Sequence, residues 1–221
     1  MKHYSIAIDG PSASGKSTIA KILATKLGFT YIDTGAMYRA FTLAVLENNL
    51  DPKNEGECDS LIGKISIDFD ENNHITLNNK DVSERVRQND VADNVSYVST
   101  YKNIRLWLVD LQRKLASNRS VIMDGRDIGS HVLPNASVKF FQIADVNERA
   151  ERRYMENLQK GIQTTKEECL ENLKKRDYID SHRDFAPLKQ ASDSILIDTT
   201  NMKISDVVDK MYIVLKNKGI I

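Results

Sequence analysis

Tyr4-Ser-Ile-Ala-Ile-Asp9 runs straight into Gly10-Pro-Ser-Ala-Ser-Gly-Lys-Ser17, and this junction decides the fold. The first six residues are short, β-prone and read as a strand. Beyond the glycine-rich stretch, Ile19, Ile22, Leu23 and Leu27 recur at helical spacing, so Lys16 to Leu27 reads as a helix. Gly28 stands where a helix usually ends. Phe29-Thr-Tyr-Ile-Asp33 then reads as the next strand. Strand, loop, helix, strand is the opening of a parallel α/β fold.

Further along, Val121-Ile-Met-Asp124, Val138-Lys-Phe-Phe-Gln-Ile-Ala144 and Ser194-Ile-Leu-Ile-Asp198 read as central strands. Helical stretches at Lys102 to Ala116, Asn147 to Lys160, Lys166 to about Ser181 and Ile204 to Lys216 separate or follow them. Five strands alternating with helices fit one doubly wound sheet covered on both faces. One region breaks the alternation. Between about Cys58 and Val95, Ile65-Ser-Ile-Asp-Phe69 and His74-Ile-Thr-Leu77 flank Glu71-Asn-Asn73, and Asn78-Asn79 follows. Short alternating strands with Asn-rich turns predict an antiparallel meander. The expected organisation is therefore a core domain of residues 1–57 and 96–221 with an inserted subdomain at 58–95.

Composition narrows the function classes. The 221 residues are 41% apolar and 28% charged, ordinary for a globular chain. Lys plus Arg and Asp plus Glu both total 31, so the formal net charge is zero. No global basic excess draws the chain to nucleic acid or anionic lipid, and neither partner is expected. Cys58 and Cys169 lie far apart and show no zinc spacing, so two reduced thiols are expected. The four histidines form no metal-like cluster in sequence. No apolar run approaches a membrane span, and the chain opens directly into a strand, which together make the cytoplasm the expected location. Nothing suggests an oligomer interface, and a monomer is expected.

Gly10 to Ser17 matches G-x-x-x-x-G-K-[ST] in full, with a strand before it and a helix after it. Glycines let successive N–H groups turn inward and cradle anionic oxygens, while the helix N-terminus faces the same phosphates. Gly10, Pro11, Ser12, Ala13, Ser14, Gly15, Lys16, Ser17 and Thr18 are thus the candidate nucleoside triphosphate site. Lys16 would bridge the β- and γ-phosphates, and the Ser17 hydroxyl would ligate Mg²⁺. Asp124, at a strand end near this loop, is the candidate carboxylate for the metal. Arg126 follows it within reach of a transferring phosphoryl group. Arg39, in Asp33-Thr-Gly-Ala-Met-Tyr-Arg39, stands on the opening turns of a helix where an incoming phosphate would meet a guanidinium fork. No N-K-x-D guanine signature follows, which argues against a GTPase. Trp107 is read as a packing residue.

With these motifs, the sequence resembles the bacterial cytidylate kinase family of P-loop nucleoside monophosphate kinases. The resemblance rests on Asp9 to Ser17, Asp33 to Arg39, Val95-Ser-Tyr-Val98, Met123-Asp-Gly-Arg-Asp-Ile-Gly129, Glu148-Arg-Ala-Glu-Arg-Arg153, Arg176-Asp177 through Arg183, and Ala186-Pro-Leu188. Adenylate kinases carry an Asp-Gly-Phe-Pro-Arg type segment where this chain has Asp-Gly-Arg-Asp-Ile-Gly. The resemblance implies a P-loop kinase fold with a five-stranded parallel sheet, a short helical lid at about 149–165, and phosphoryl transfer from Mg-ATP to CMP or dCMP. It implies that Thr34 and Arg39 hold the CMP phosphate and that Ser96, Arg105 and Asp127 read the cytosine edge, with Arg126 close by. It gives the ribose and phosphate of the acceptor to Arg176, Asp180 and Arg183. Arg149 and Arg153, with Arg152 between them, would close over the ATP phosphates. The alternative for these arginines is salt bridging to Glu148, Glu151 and Glu156 along their own helix. Two rival readings stay open at this point: another monophosphate acceptor such as UMP, and a nucleotide-dependent switch without transfer.

Overall fold

The structure, a computed structural model, describes residues 3–221. The chain divides into two compact units: Met1–Tyr31 with Arg119–Ile221, and Ile32–Asn118. In chain order the elements begin β1 (Ser5–Asp9), α1 (Lys16–Leu27), β2 (Thr30–Asp33), α2 (Thr34–Glu47), α3 (Glu55–Asp59), β3 (Ile67–Phe69), β4 (Ile75–Leu77) and β5 (Lys80–Asp81). Then come α4 (Asn89–Val98), α5 (Lys102–Ala116), β6 (Val121–Gly125), β7 (Val138–Ile143), α6 (Val146–Gln159), α7 (Lys166–His182), β8 (Ile195–Asp198) and α8 (Ile204–Asn217).

A five-stranded parallel sheet flanked by helices, in the order β2-β6-β1-β7-β8, carries the first unit, to which Thr30 and Tyr31 of β2 belong. β1 is central. Its register pairs Asp9 with Gly125 on one side and with Phe141 on the other. β1 and β6 therefore end level and β7 runs on past them to Ile143, and the loops leaving these three strands share one edge, the usual place for a ligand in an open α/β sheet. Ile6, Ile8, Ile122, Phe140 and Ile197 from the strands pack with Ile19, Leu23, Met211 and Leu215 from α1 and α8. α1 ends as its sequence demands. Gly28 takes φ 66°, and the Phe29 N–H reaches back to the Ala24 carbonyl at 3.0 Å, which satisfies the helix's last acceptors.

The second unit centres on α2, which is buried almost all round through Ala36, Met37, Ala40, Phe41, Leu43, Ala44 and Val45. A helix apolar on every side belongs inside a fold, and α4 and the small sheet cover it. That sheet is antiparallel, ordered β3-β4-β5, with Ile67 opposite Leu77 and Thr76 opposite Asp81. Trp107 meets Phe41 edge-on, ring centroids 5.7 Å apart. The meander fills less of the 58–95 segment than its turns suggest. Residues 89–98 form α4, whose Val91, Val95 and Val98 share its buried face. Asn, Asp, Ser and Val are weak helix formers, so burial of that valine stripe decides the conformation.

Candidate active site

The phosphate loop leaves β1 under tight steric control. Gly10 takes φ 150°, and a Cβ placed there would lie 1.9 Å from the Gln142 carbonyl oxygen. Ala13 takes φ 59° and Gly15 φ 90°, so the backbone reverses twice before α1 begins. Several loop carbonyls are consumed by donors from the protein. Pro11 O accepts from Lys16 Nζ at 2.6 Å, Ser12 O from Arg149 Nη1 at 3.1 Å, and Ser14 O from Gln142 Nε2. Carbonyls held in this way leave the opposite ends of their peptide planes, the N–H groups, for an anion. Lys16 is buried, with its ammonium also 3.3 Å from Ser14 Oγ. Burial, and then the positive charge of Arg126, push its pKa well below the usual lysine range.

A hard-oxygen pair stands beside the loop. The Ser17 hydroxyl donates to Asp124 Oδ2 at 2.8 Å, and the Tyr31 hydroxyl donates to Asp124 Oδ1 at 2.7 Å. A hydroxyl and a carboxylate suit Mg²⁺, which takes few protein ligands and fills its octahedron with phosphate oxygens and water. Among the described residues no group of three or more His, Cys, Asp or Glu is arranged to hold a metal by itself. Asp9 is committed elsewhere: its two oxygens accept from Ile128 N at 2.8 Å and Gly129 N at 2.7 Å. Burial nevertheless pushes its pKa up to about 7, against the lowering effect of those two N–H groups.

Asp127 begins a short π-helical turn at Ile128–Val132, and around it gathers a buried chain of alternating charges. Arg126 Nε donates to Asp180 Oδ2 at 2.8 Å, and Arg183 Nη2 donates to Asp127 Oδ1 at 3.1 Å. Arg183 Nη1 also stands 3.9 Å from Asp180 Oδ1. Burial works to raise the Asp180 pKa, but Arg126, Arg176 and Arg183 outweigh it and hold the carboxyl below its usual range. The Ala186-Pro-Leu188 turn locks this end of α7. Arg183 Nε donates to Ala186 O at 2.8 Å and the Leu188 N–H to Asp180 O at 2.7 Å. The first unit thus brings Arg126, Asp127, Arg176, Asp180 and Arg183 together.

The arginines of α6 are all engaged. Arg149, beyond its bond to Ser12 O, donates from Nη1 to Asp177 Oδ2 at 2.7 Å and from Nε to Ala144 O at 3.0 Å. Arg152 Nη2 donates to Glu148 Oε2 at 2.9 Å and its Nη1 to Ser14 O at 3.3 Å. Arg153 pairs with Glu156 at 3.2 Å. Asp145 caps the helix by accepting from Asn147 N at 2.8 Å.

In the second unit Asp33 caps α2 through the Ala36 N–H at 2.8 Å, and Arg39 Nη2 folds back to Asp33 Oδ2 at 3.3 Å. Gly35 makes room for this, since a Cβ there would lie 3.2 Å from Asp33 Oδ1 and 3.3 Å from Arg39 Nη1. The Arg39 Nε finds no acceptor among the described residues. Thr34 is buried at the same helix start. Arg105 is only 1% exposed, and its guanidinium lies 5.4 Å from the centre of the Tyr38 ring. Its Nη1 donates to Ser99 O at 3.1 Å, and Ser99 Oγ donates to Ser96 O at 3.0 Å. Ser96 and Arg105 are thereby linked through Ser99.

A sequence model of the cytidylate kinase family matches residues 6–217. The chain belongs to the cytidylate kinase family. It is 49% identical to the cytidylate kinase of Leuconostoc mesenteroides over 220 residues, covering 98% of each chain. It is 50% identical to that of Fusobacterium nucleatum, covering 95% of each. Solved structures share the fold at low identity. A gluconokinase from Sinorhizobium meliloti aligns at TM-score 0.50 and 13% identity over 97% of this chain and 92% of that one. A shikimate kinase from Acinetobacter baumannii aligns at TM-score 0.50 and 15% identity over 98% and 96%.

Membership in the cytidylate kinase family makes the chain an enzyme of the kinase class. No described helix is long and apolar enough to cross a membrane. The motifs shared with the family do not account for the whole constellation. Tyr31, Gln142, Asp177 and Thr199 each touch a candidate site residue and lie outside the sequence reading of the site. Gln142 had a visible signal, as a polar residue inside the apolar run Val138-Lys-Phe-Phe-Gln-Ile. Asp177 stood within the Arg176 to Arg183 motif without a role of its own, and its bond to Arg149 comes from packing of α6 on α7; Tyr31 and Thr199 had no signal, because their roles exist only once distant strands are paired.

Proposed function

We propose that the protein transfers the γ-phosphoryl group of ATP to CMP, and also to dCMP, giving CDP or dCDP and ADP. The observation that carries this reading is the charge chain Arg126–Asp180–Arg183–Asp127, held in the same unit as a complete phosphate loop. A phosphate loop alone serves many functions; a second cluster suited to a sugar phosphate and a base edge is what a nucleotide acceptor requires.

ATP binds through Gly10 to Thr18, with Lys16 on the β- and γ-phosphates. Ser17 and Asp124 would hold the Mg²⁺ that accompanies ATP, and the ion neutralises phosphate charge when bound. Thr34 and Arg39 hold the acceptor phosphate. Ser96, Arg105 and Asp127 read the cytosine edge: a carboxylate accepts from the exocyclic amine, whereas the O4 acceptor of uracil would repel it. Arg176, Asp180 and Arg183 address the acceptor ribose and phosphate. The acceptor oxygen is already anionic at neutral pH, so orientation and charge neutralisation by Lys16, Arg39, Arg126, Arg149 and Arg153 do the chemical work and no strong base is needed. Residues 58–95 serve as the acceptor-side insert and about 149–165 as the lid. The enzyme works as a cytoplasmic monomer with nucleotides as its partners.

The test is ADP release from Mg-ATP with CMP, dCMP, UMP, AMP, GMP and dTMP in turn. CMP and dCMP are expected well above the rest. A win for AMP or GMP overturns the base-edge assignment, and no stimulation by any monophosphate overturns the transfer reading.

A further inference from the structure

We infer that Gln142 is a positioning residue for the triphosphate donor, acting as a brace that fixes the direction of the phosphate loop's Gly15 N–H. The inference rests on the proposed binding of a triphosphate at Gly10 to Thr18. Gln142 sits near the C-terminal end of β7 and is 1% exposed. It meets the loop at both of its glycines. Its backbone carbonyl fills the space where Gly10 would carry a Cβ, and its Nε2 donates to the Ser14 carbonyl. A Cβ on Gly15 would stand 3.5 Å from that same Nε2.

The Ser14 carbonyl and the Gly15 N–H belong to one planar trans peptide, so they point in opposite directions. Whatever holds the carbonyl aims the N–H. The plane needs holding, because Gly15 sits at φ 90° and glycine crosses between backbone regions at little steric cost. A flipped plane would turn a carbonyl oxygen toward the phosphates in place of a donor. Two further groups assist. Arg152 Nη1 lies 3.3 Å from Ser14 O and Thr199 Oγ1 lies 3.4 Å from it. The Thr199 hydroxyl has one proton and a nearer acceptor in Ile143 O at 3.0 Å, and Arg152 stands farther from the Ser14 carbonyl than Gln142 does, so Gln142 is its nearest donor.

Two variants of matched shape test this, Gln142→Met and Gln142→Glu, with ATP, inorganic triphosphate and CMP as probes. Gln142→Met, which cannot donate, is expected to raise the KM and Kd for ATP roughly tenfold while the KM for CMP stays unchanged. Gln142→Glu should be worse at neutral pH, where a carboxylate opposes the Ser14 carbonyl. As pH falls it should approach wild type, because the protonated acid donates again; ratios to wild type at each pH remove the titration of other groups. The Gln142→Met ratio should stay flat. Equal ATP affinity in all three proteins, or KM values for ATP and CMP rising together with a lowered Tm, or parallel pH profiles for the two variants, would each overturn the brace. If Gln142→Met fails to fold, Gln142→Glu carries the test through its pH-dependent ratio to wild type, and if Gln142→Glu fails, Gln142→Met carries it through the split between the KM values for ATP and CMP. Wild-type protein that binds inorganic triphosphate but not ATP would refute the donor reading alone, and the brace is then judged on triphosphate. Binding of neither refutes both.

Discussion

The phosphate loop and the small antiparallel sheet both use left-handed backbone, and they stabilise it in opposite ways. In the loop, Ala13 and Gly15 take φ 59° and 90°, and the donors that fix their carbonyl neighbours come from Gln142, Arg149 and Arg152, well over a hundred residues later. In the small sheet, Asn78 and Asn79 take φ 51° and 63° in the two-residue link from β4 to β5, the type I′ geometry that matches strand twist. Their support is local: Asn78 Oδ1 accepts from Ser66 N at 2.9 Å, and at the other turn Asp70 Oδ1 accepts from His74 N at 2.7 Å. Backbone of the same hand closes a hairpin in one place and, on the proposed function, shapes a binding loop in the other. The difference lies in whether the sequence beside it is enough to hold it.

Substitutions should separate the two. The largest effect is expected for Gly10→Ala. Its Cβ would overlap the Gln142 carbonyl at 1.9 Å, a clash with backbone that no rotamer relieves. Loss of at least about 4 kcal/mol of stability and loss of activity should follow, read by denaturant unfolding and ADP release. Lys16→Met comes next. Activity should fall by roughly two to three orders of magnitude while Tm holds or rises, because a buried ammonium has been replaced by an apolar side chain. The same variant tests a proton balance. Burial and Arg126 lower the Lys16 pKa, and burial raises that of Asp9 to about 7. A polyphosphate brings negative charge, which raises both. ATP binding near neutral pH should therefore take up protons, less at acid pH where both groups already carry theirs. Calorimetry in buffers of different ionisation enthalpy reads the uptake, and Lys16→Met should lose most of it. The smallest effect is expected for Asn79→Ala, about 1 kcal/mol of stability for a left-handed alanine, with the KM for ATP unchanged. A shift in that KM would break the contrast between the two regions.

The strands and helices of the parallel sheet could be read from sequence because each carries its own periodicity. Lys102 to Ala116 is a helix in both the pattern and the structure, since its apolar stripe is regular and nothing interrupts it. The turns at Glu71-Asn-Asn73 and Asn78-Asn79 were equally legible, because Asn tolerates the left-handed backbone that Asn73, Asn78 and Asn79 adopt. α4 was not, since its residues are poor helix formers and only burial of Val91, Val95 and Val98 selects the helix. The candidate site shows the same division. Gly10 to Ser17 and Asp33 to Arg39 announce themselves by local spacing. The attachment of Arg149 to Ser12, of Tyr31 to Asp124 and of Gln142 to Ser14 depends on strand order, which no short window of sequence contains.

The Asp9 carboxylate, tied by both oxygens to the N–H groups of Ile128 and Gly129, bears on whether the loop can be borrowed. The octapeptide from Gly10 to Ser17 is not a portable cassette. Grafted onto a new scaffold with β1 alone, it would arrive without the turn after β6 that satisfies Asp9 and without the β7 glutamine that faces its glycines. The smallest transplantable piece is three neighbouring strands with the segments that leave them, and a library built on the octapeptide alone would keep the signature and lose the grip.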